Sequence, residues 1–266
     1  MDTRFHTLHH NGLLVLANVA DAGSARIVER LGGTAVATSS AAMAWTHGYP
    51  DGDQLPLGLL RTTVESMARV LSVPLTVDVE GGYSDEPAQV ARVIDAVVAA
   101  GAVGINIEDG VAAPELLVRK IEAARKAADQ RGVNLFINAR TDVYRKNLFP
   151  AEQRLEKTLE RAALYANAGA NGLFAIGLAD AEEIATLCKE TTLPVNLLHL
   201  DGLPSLDELK RLGVRRLSTG SAIAQFLYGA LGSLAAGFLS NGQLDTQSLK
   251  GHTYGELNAL MAANNG

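Results

Sequence analysis

The chain has 266 residues, of which 47% are hydrophobic and 20% are charged, and its formal net charge is −6. That length is close to the roughly 250 residues of a (β/α)8 barrel, and no Lys/Arg-rich run is present to bind nucleic acid or an anionic membrane. The single cysteine, Cys188, excludes an intramolecular disulfide. The start of the chain, MDTRFHTLHHNG, lacks the layout of a signal peptide, and no uninterrupted apolar run reaches the roughly 20 residues of a membrane helix. We therefore expect a soluble cytoplasmic protein that binds neither nucleic acid nor membrane.

Short apolar runs alternate with longer amphipathic stretches along the whole chain. Runs of Val, Ile and Leu of this length are typical of parallel strands that are covered on both faces. The predicted strands are residues 13–19, 34–38, 75–80, 104–109, 135–142, 172–177, 194–199 and 215–220. The predicted helices are residues 22–31, 87–100, 114–131, 151–168, 181–190, 205–212, 221–239 and 254–262.

These eight strand–helix units follow one another without a linker or a change in composition. Eight units in a row favour a closed (β/α)8 barrel (a TIM barrel) over an open doubly wound sheet. We predict a single barrel domain over residues 1–266, in which residues 221–266 form a C-terminal helical segment.

Polar side chains concentrate at the carboxyl ends of the predicted strands, where such barrels carry their active sites. They are Asn18, Asp21, Thr38, Ser39, Ser40, Asp78, Glu80, Asn106, Glu108, Asp109, Asn138, Arg140, Asp142, Asn196, His199, Ser218 and Thr219. Contact with solvent could also make strand ends polar, but it would place Lys and Gln there, and this set contains neither. A rim that forms a site is the better interpretation.

Acidic residues dominate this rim. Asp78, Glu80 and Glu108 lie on it, and Asp51 in the loop HGYPDG is a fourth candidate. Carboxylates this close together require a cation or a proton to neutralise them. The rim offers no pair of His residues and no Cys, so the available metal ligands are oxygen atoms. Oxygen ligands predict Mg²⁺ or Mn²⁺, with some of the acids holding the metal through water. For Glu108 and Asp109 by themselves, a helix-capping or ion-pair role would explain the residues as well as metal binding does.

Arg140, in the phrase NARTD, is the one cation of the rim. Its planar guanidinium suits a substrate carboxylate or phosphonate, although an ion pair with a neighbouring acid is the alternative. Residues Thr38, Ser39 and Ser40 offer hydroxyl groups and unobstructed backbone N–H groups to an anion or oxyanion.

These phrases resemble the isocitrate lyase/phosphoenolpyruvate mutase superfamily, and in particular its short mutase-like members. The matching phrases are NVADAGSARIVERLG, AVATSSAAMAWTHGYPDGD, VDVEGGY, GINIEDG, INARTD and PVNLL, in family order between about residues 11 and 225. The resemblance implies the same (β/α)8 barrel. It also implies a C-terminal helix that is exchanged between neighbouring subunits in a dimer of dimers, a homotetramer.

The resemblance assigns roles residue by residue. Asp78 matches the acid that contacts Mg²⁺ directly, whereas Asp51, Glu80 and Glu108 match acids that hold the metal largely through water. Ser39, Ser40 and Ala41 match the small-residue loop that receives the substrate carboxylate or 2-oxo group. Arg140 matches the arginine that faces the anionic end of the substrate, and Asn196 matches a polar contributor from the seventh strand.

The chemistry implied by the resemblance is cleavage or formation of a bond to C3 of a pyruvate unit, with charge building on an enolate that the metal and N–H donors stabilise. The family loop that carries a catalytic Cys, or an Asn- or Thr-containing lid, is reduced here to GVAAPELL. The leading hypothesis is a Mg²⁺-dependent lyase that cleaves a C–C bond of a small 2-oxo or 2-hydroxy dicarboxylate, like oxaloacetate decarboxylase or methylisocitrate lyase.

Three alternatives remain open at this point. One is C–P bond chemistry, as in phosphoenolpyruvate mutase, phosphonopyruvate hydrolase or carboxyphosphonoenolpyruvate mutase. Another is a non-catalytic paralogue, against which the intact acid set and Arg140 argue. The last is the related ketopantoate-forming hydroxymethyltransferase barrel, which fits INARTD and GYPDG less well.

Overall fold

Nine short parallel strands surround the centre of the protein. A computed structural model describes residues 3–244 and 251–262. The strands are β1 (Leu14–Leu16), β2 (Asn18–Val19), β3 (Val36–Thr38), β4 (Leu75–Asp78), β5 (Gly104–Glu108), β6 (Phe136–Thr141), β7 (Gly172–Ala175), β8 (Val195–Leu198) and β9 (Arg216–Ser218). Their order in the sheet is β1-β9-β8-β7-β6-β5-β4-β3-β2.

The first predicted strand is split into β1 and β2, and this split closes the sheet. β1 pairs with the last strand, with Leu16 opposite Ser218, while β2 pairs with β3. The side chain of Asn18 holds the junction, because its Oδ1 accepts hydrogen bonds from the backbone N–H groups of Thr219 (3.0 Å) and Gly220 (3.2 Å). Because β1 and β2 together take the place of one strand, the nine segments form an eight-stranded barrel. The predicted (β/α)8 barrel is confirmed.

Helices cover the outside of the barrel between the strands. They are α1 (Arg4–Leu8), α2 (Ala22–Arg30), α3 (Ser40–Thr46), α4 (Leu57–Val70), α5 (Pro87–Ala99), α6 (Pro114–Gln130), α7 (Arg154–Asn167), α8 (Ala181–Glu190), α9 (Leu206–Arg211), α10 (Ala222–Asn241) and α11 (Tyr254–Ala262). A 3₁₀ turn, Ala151–Gln153, precedes α7. The helices predicted from sequence agree with these bounds to within a few residues. The first two predicted strands end where predicted, at Val19 and Thr38, and the other six end one or two residues earlier.

Three helices were not predicted from the sequence: α1, α3 and α4. In α4 the buried side chains Leu60, Val64 and Met67 follow the i, i+4, i+7 spacing of a helix face. The start of α4 carries no side-chain cap, and Thr residues interrupt its apolar pattern. Burial against α2 and α5, rather than a start signal in the sequence, therefore secures this helix.

Helix α1 packs on the side of the barrel opposite the carboxyl ends of the strands. The Phe5 ring of α1 lies edge-on to Phe136 at the start of β6, with ring centroids 5.5 Å apart. A Cβ atom added to Gly104, the first residue of β5, would lie 2.5 Å from Phe5 Cε1, so only glycine allows this close approach. With α1 packed here, the carboxyl ends of the strands are left open for a site.

Helix α10 lies largely outside the core. Phe226 is 81% exposed and Leu239 is 84% exposed, and Ala224 is the one buried residue of this helix. Within the described residues, α10 is the one helix long and apolar enough to cross a membrane, a weak indication because it rests on length and composition alone. Gln225 and Ser233 interrupt its apolar side chains, so α10 is not an uninterrupted apolar run of that length. Residues 245–250 and 263–266 of the predicted C-terminal segment lie outside the described residues.

Candidate active site

A cavity of about 280 Å³ opens at the carboxyl ends of the strands. It is lined by Asn18, Ser39, Ser40, Ala41, Asp51, Gly52, Asp78, Glu80, Asn106, Glu108, Arg140, Arg145, Lys146, Phe174, Ile176, Leu198, Ser218, Gly220 and Ser221. Of the residues to which the resemblance assigns a role in the site, all except Asn196 line this cavity.

The small residues after β3 form one wall of this cavity. The chain turns from β3 directly into α3, and Ser39 caps that helix by accepting a hydrogen bond from the Ala42 N–H at 3.3 Å. Ser40 Oγ donates a hydrogen bond to Asp78 Oδ2 at 2.9 Å. The β3 hydroxyl of Thr38 accepts a hydrogen bond from the Asp78 N–H at 2.9 Å. Together these contacts fix Asp78 beside the small-residue wall.

Asp78 and Glu80 reach the cavity in different ways, contrary to the prediction that both project from one strand. β4 ends at Asp78, and Glu80 follows in the left-handed region with φ of +52°. This conformation is disfavoured for a residue with a side chain and interrupts the alternation of a strand. It turns the Glu80 carboxylate towards the loop after α3, where Oε2 accepts hydrogen bonds from the N–H groups of Gly52 (2.8 Å) and Asp53.

The loop HGYPDGD is tied to the turn after β4 from both sides. Asp53, which sequence reasoning missed, accepts a hydrogen bond from the Tyr83 N–H at 2.9 Å. A Cβ atom on Gly81 would lie 2.9 Å from Asp53 Oδ2, so the loop and the turn approach closely here and a larger residue would displace the Asp53 carboxylate. Asp51 stays exposed at the cavity rim. The acid-rich motif DGD was the available signal for Asp53.

Arg140 pairs with two acids while it lines the cavity. Its Nη1 lies 2.5 Å from Glu108 Oε2 on the neighbouring strand, and its Nε and Nη2 donate to the two carboxylate oxygens of Asp142 at 2.7 and 3.1 Å. The Arg140 side chain is 14% exposed. Both interpretations of this residue, ion pair and cavity-facing cation, thus apply at once.

Two other rim residues, Asp109 and Asn196, do not line the cavity. Asp109 accepts hydrogen bonds from Arg161 and Tyr165, both at 2.6 Å, and from the Asp142 N–H at 2.9 Å, so it is an anchor behind the cavity. Asn196 is 1% exposed and does not line the cavity. Residues two apart on a strand share a face, and Leu198 occupies the cavity level while Asn196 lies one layer below it.

Three acids of the cavity, Asp78, Glu80 and Glu108, have raised pKa values. Burial raises the pKa of Asp78, against the nearby charge of Arg140 and the hydrogen bond from Ser40. Burial also raises the pKa of Glu80 to about 7 and that of Glu108 to about 8, and repulsion by neighbouring carboxylates adds to both. A cation bound among these carboxylates would favour their ionised forms and lower the three pKa values.

The donor set fits a hard divalent cation held by few direct protein ligands. In residues 3–244 and 251–262, no three acidic, His or Cys side chains are grouped closely enough to form a direct metal cage. Mg²⁺ commonly takes one or two carboxylates and keeps several waters, so such a cage is not required. Within the same residues, the buried Glu80 Oε1 has no hydrogen-bond partner, and it is free to accept from a metal-bound water.

Apolar and basic side chains complete the cavity, and sequence reasoning missed both groups. Phe174 on β7, Ile176 just after β7 and Leu198 on β8 form an apolar wall. Arg145 and Lys146, on the loop after β6, lie at the cavity mouth. The signal for the cations was the phrase VYRKN directly after INARTD.

Comparison with known proteins gives consistent similarities. The sequence model of the phosphoenolpyruvate phosphomutase family matches residues 5–239. An uncharacterized protein of Mycobacterium tuberculosis (strain ATCC 25618 / H37Rv) is 38% identical over 261 residues, or 97% of this chain and 95% of that protein. An oxaloacetate decarboxylase of Rhodopseudomonas palustris (strain ATCC BAA-98 / CGA009) is 34% identical over 194 residues, or 68% of this chain and 64% of that protein. The solved structure of a phosphonomutase candidate from Burkholderia cenocepacia J2315 has a TM-score of 0.83 and 39% identity, covering 88% of this chain and all of that one.

Proposed function

The chain belongs to the phosphoenolpyruvate phosphomutase family of the isocitrate lyase/phosphoenolpyruvate mutase superfamily, and on this premise we propose a Mg²⁺- or Mn²⁺-dependent lyase. It would cleave a C–C bond of a small 2-oxo or 2-hydroxy acid through a pyruvate-enolate-like state. The observation that carries this proposal is the convergence of Asp51, Asp78, Glu80 and Glu108 with Arg140 on one cavity. The similarity to an oxaloacetate decarboxylase supports the C–C reaction.

Asp78 is the residue we expect to ligate the metal directly, with Asp51, Glu80 and Glu108 acting through water. Ser40 orients the Asp78 carboxylate by its 2.9 Å hydrogen bond, and Glu80 holds the loop that carries Asp51. When bound, the metal would supply Lewis-acid polarisation of a substrate C–O group. The raised pKa values of Glu80 and Glu108 support a cation at this position. So does the Glu80 Oε1 atom, which has no hydrogen-bond partner among the described residues.

The remaining residues would bind and orient the substrate. The backbone around Ser39, Ser40 and Ala41 is proposed to receive the substrate carboxylate or 2-oxo group, with its N–H groups opposing charge on the enolate. Arg140 would face the anionic end, and its pairing with Glu108 and Asp142 holds the guanidinium in one orientation. A role for Asn196 would have to be indirect, because it does not line the cavity and its Oδ1 accepts a 3.4 Å hydrogen bond from the cavity-lining Ser218 hydroxyl.

The apolar wall favours a reaction in which negative charge moves from the breaking bond onto the enolate of the substrate. Phe174, Ile176 and Leu198 carry no group that can transfer a proton or bind a phosphate. A wall of this kind excludes water and strengthens the electrostatic interactions on the opposite side of the cavity. This arrangement suits loss of a neutral fragment such as CO₂ next to a stabilised enolate.

Chemistry at a C–P bond is the second candidate. It is favoured by the 39% identity to the phosphonomutase candidate from Burkholderia cenocepacia. The loop between β5 and α6 argues in the other direction, because it spans only the residues between Glu108 and Pro114 and leaves Val111 76% exposed rather than closing over the cavity.

A substrate panel separates these reactions. The purified protein is incubated with oxaloacetate, methylisocitrate, dimethylmalate or phosphonopyruvate, in Mg²⁺ and in EDTA, and pyruvate is followed by a coupled assay. We expect metal-dependent pyruvate release from a C–C substrate, above the spontaneous rate measured without protein. Pyruvate from phosphonopyruvate alone, or phosphoenolpyruvate from it once pyruvate kinase and ADP are added to the coupled assay, would select the second candidate. Neither product from any of the four would favour a non-catalytic paralogue.

We also propose that α10 contacts neighbouring subunits in a soluble homotetramer, as in helix exchange between two chains. The exposed apolar side chains Phe226, Leu231 and Leu239 support this proposal. Light scattering after size-exclusion chromatography would give four chains for the wild type and fewer for the double variant Phe226→Glu/Leu231→Glu. A monodisperse wild-type monomer, or a protein that requires detergent, would contradict it.

A further inference from the structure

The mouth of the cavity carries two cations that none of the roles above uses. Among the described residues, Arg140, Arg145 and Lys146 are the basic side chains that line the cavity. Arg140 is already paired with Glu108 and Asp142. Arg145 is exposed and makes no side-chain hydrogen bond or ion pair within residues 3–244 and 251–262.

The loop that carries these cations has a defined backbone. The Lys146 N–H donates to the Asp142 carbonyl at 2.9 Å, and the Leu148 N–H donates to the Val143 carbonyl at 3.1 Å. A Cβ atom on Gly177 would lie 2.8 Å from the backbone nitrogen of Arg145, so the loop packs tightly against the chain just after β7. The exposed Arg145 side chain therefore starts from a well-packed backbone position at the cavity mouth.

Lys146 joins this cavity to a second one. The second cavity, about 310 Å³, shares Glu108 and Lys146 with the first and extends along the short loop after β5. Lys146 Nζ lies 3.2 Å from Asp142 Oδ2 and beside Gly110, where an added Cβ would be 3.5 Å away. The ammonium group thus sits where the two cavities meet, at the side left open by the short loop.

The charges of the site divide into two regions. The inner region holds Asp51, Asp78, Glu80 and Glu108 and would repel a second substrate anion even when a divalent cation is bound. The mouth holds Arg145 and Lys146, which attract one. A substrate with an anionic group at each end would fit this division of charge, whereas a monoanion would leave the mouth unused.

We propose that Arg145 and Lys146 extend the anion site of Arg140 to the cavity mouth, bind the distal carboxylate or phosphonate of the substrate there, and so favour substrates with a second anionic group over monoanions. This inference rests on the proposed function, because that function assigns the other end of the substrate to the metal region. Arg145 supplies a planar fork for two oxygens, and Lys146, already held by Asp142, supplies a point charge.

The test compares ligands that differ only in the distal group. Calorimetry in saturating MgCl₂ measures the binding of malate, lactate and 3-phosphonolactate, with oxalate as a probe of the metal region alone. For Arg145→Gln we expect roughly tenfold weaker binding of malate or of phosphonolactate, the usual loss for a partly exposed charge-assisted hydrogen bond. Oxalate and lactate should bind as they do to the wild type, and Arg145→Lys should restore part of the affinity.

Two variants control for the change in net charge. Arg119 and Lys126 are exposed on α6 and do not line either cavity, so Arg119→Gln and Lys126→Gln should leave all four ligands unaffected. The larger loss for malate or for phosphonolactate identifies which distal group is recognised. If Arg145→Gln and Lys146→Gln both bind malate and phosphonolactate like the wild type while oxalate binding persists, the inference is wrong. If the wild type fails to bind oxalate with Mg²⁺, the proposed function fails and the inference falls with it.

Discussion

Replacing Glu80 with Gln should stabilise the metal-free protein at alkaline pH and weaken its response to Mg²⁺. The Glu80 side chain is 5% exposed, and burial and nearby carboxylates raise its pKa from 4.5 to about 7. A carboxyl group whose pKa is higher in the folded state resists ionisation there. Its destabilising effect is therefore absent below pH 4.5, grows as pH rises towards 7, and is complete above pH 7.

The size of the effect follows from these values. The change in pKa from 4.5 to about 7 corresponds to roughly 3 kcal/mol at pH 8, since each tenfold change in proton affinity is worth about 1.4 kcal/mol. Gln keeps an oxygen that can accept from the Gly52 and Asp53 N–H groups and removes the charge. For a domain of this size, a gain of about 3 kcal/mol raises the melting temperature by roughly 6 °C.

The assay is thermal unfolding in EDTA at pH 8 and pH 5, followed by circular dichroism. Glu80→Gln should melt higher than the wild type at pH 8 and nearly level with it at pH 5. Saturating Mg²⁺ should then raise the melting temperature of the wild type more than that of the variant. Glu122→Gln, an exposed carboxyl group on α6, is the matched control. An equal gain at both pH values, or no gain at pH 8, would refute the electrostatic reasoning.

Three further predictions concern the metal, the substrate and the barrel. Asp78→Ala should weaken Mg²⁺ binding by about 100-fold in calorimetry, since a direct ligand contributes at least as much as the outer partners of a metal site; unchanged affinity would remove Asp78 from the metal site. Arg140→Ala should raise KM, lower kcat and reduce the free energy of unfolding by roughly 3 kcal/mol, because the partly buried Glu108 loses its ion pair and the buried Asp142 keeps only Lys146. Normal kinetics in that variant would exclude Arg140 from the active site. Gly104→Ala should lower stability by about 1–3 kcal/mol in urea unfolding through its clash with Phe5, and a neutral effect would mean that α1 shifts without cost.

The sequence alone determined the order of the eight strand–helix units and the strand ends that carry polar side chains. Apolar runs for strands and the i, i+4 spacing for helices are local patterns, so they can be read without a partner. Asp78 and Arg140 were located in this way, because each comes at or near the end of a clear strand. Helix α4 has the same spacing but weak start signals, and it was missed for that reason.

Only the tertiary structure decided which side chains meet in the site and how they are oriented. Glu80 left the predicted strand because its backbone takes a positive φ, a choice made by contacts with the loop at Gly52 and Asp53. The pairing of Arg140 with Glu108 depends on the register of two strands, which the order of the motifs does not reveal. Arg145 and Lys146 lie on a loop whose position is set by packing on β7. Local patterns determine where a strand ends, whereas the direction of a side chain and the identity of its partner depend on residues far apart in the chain.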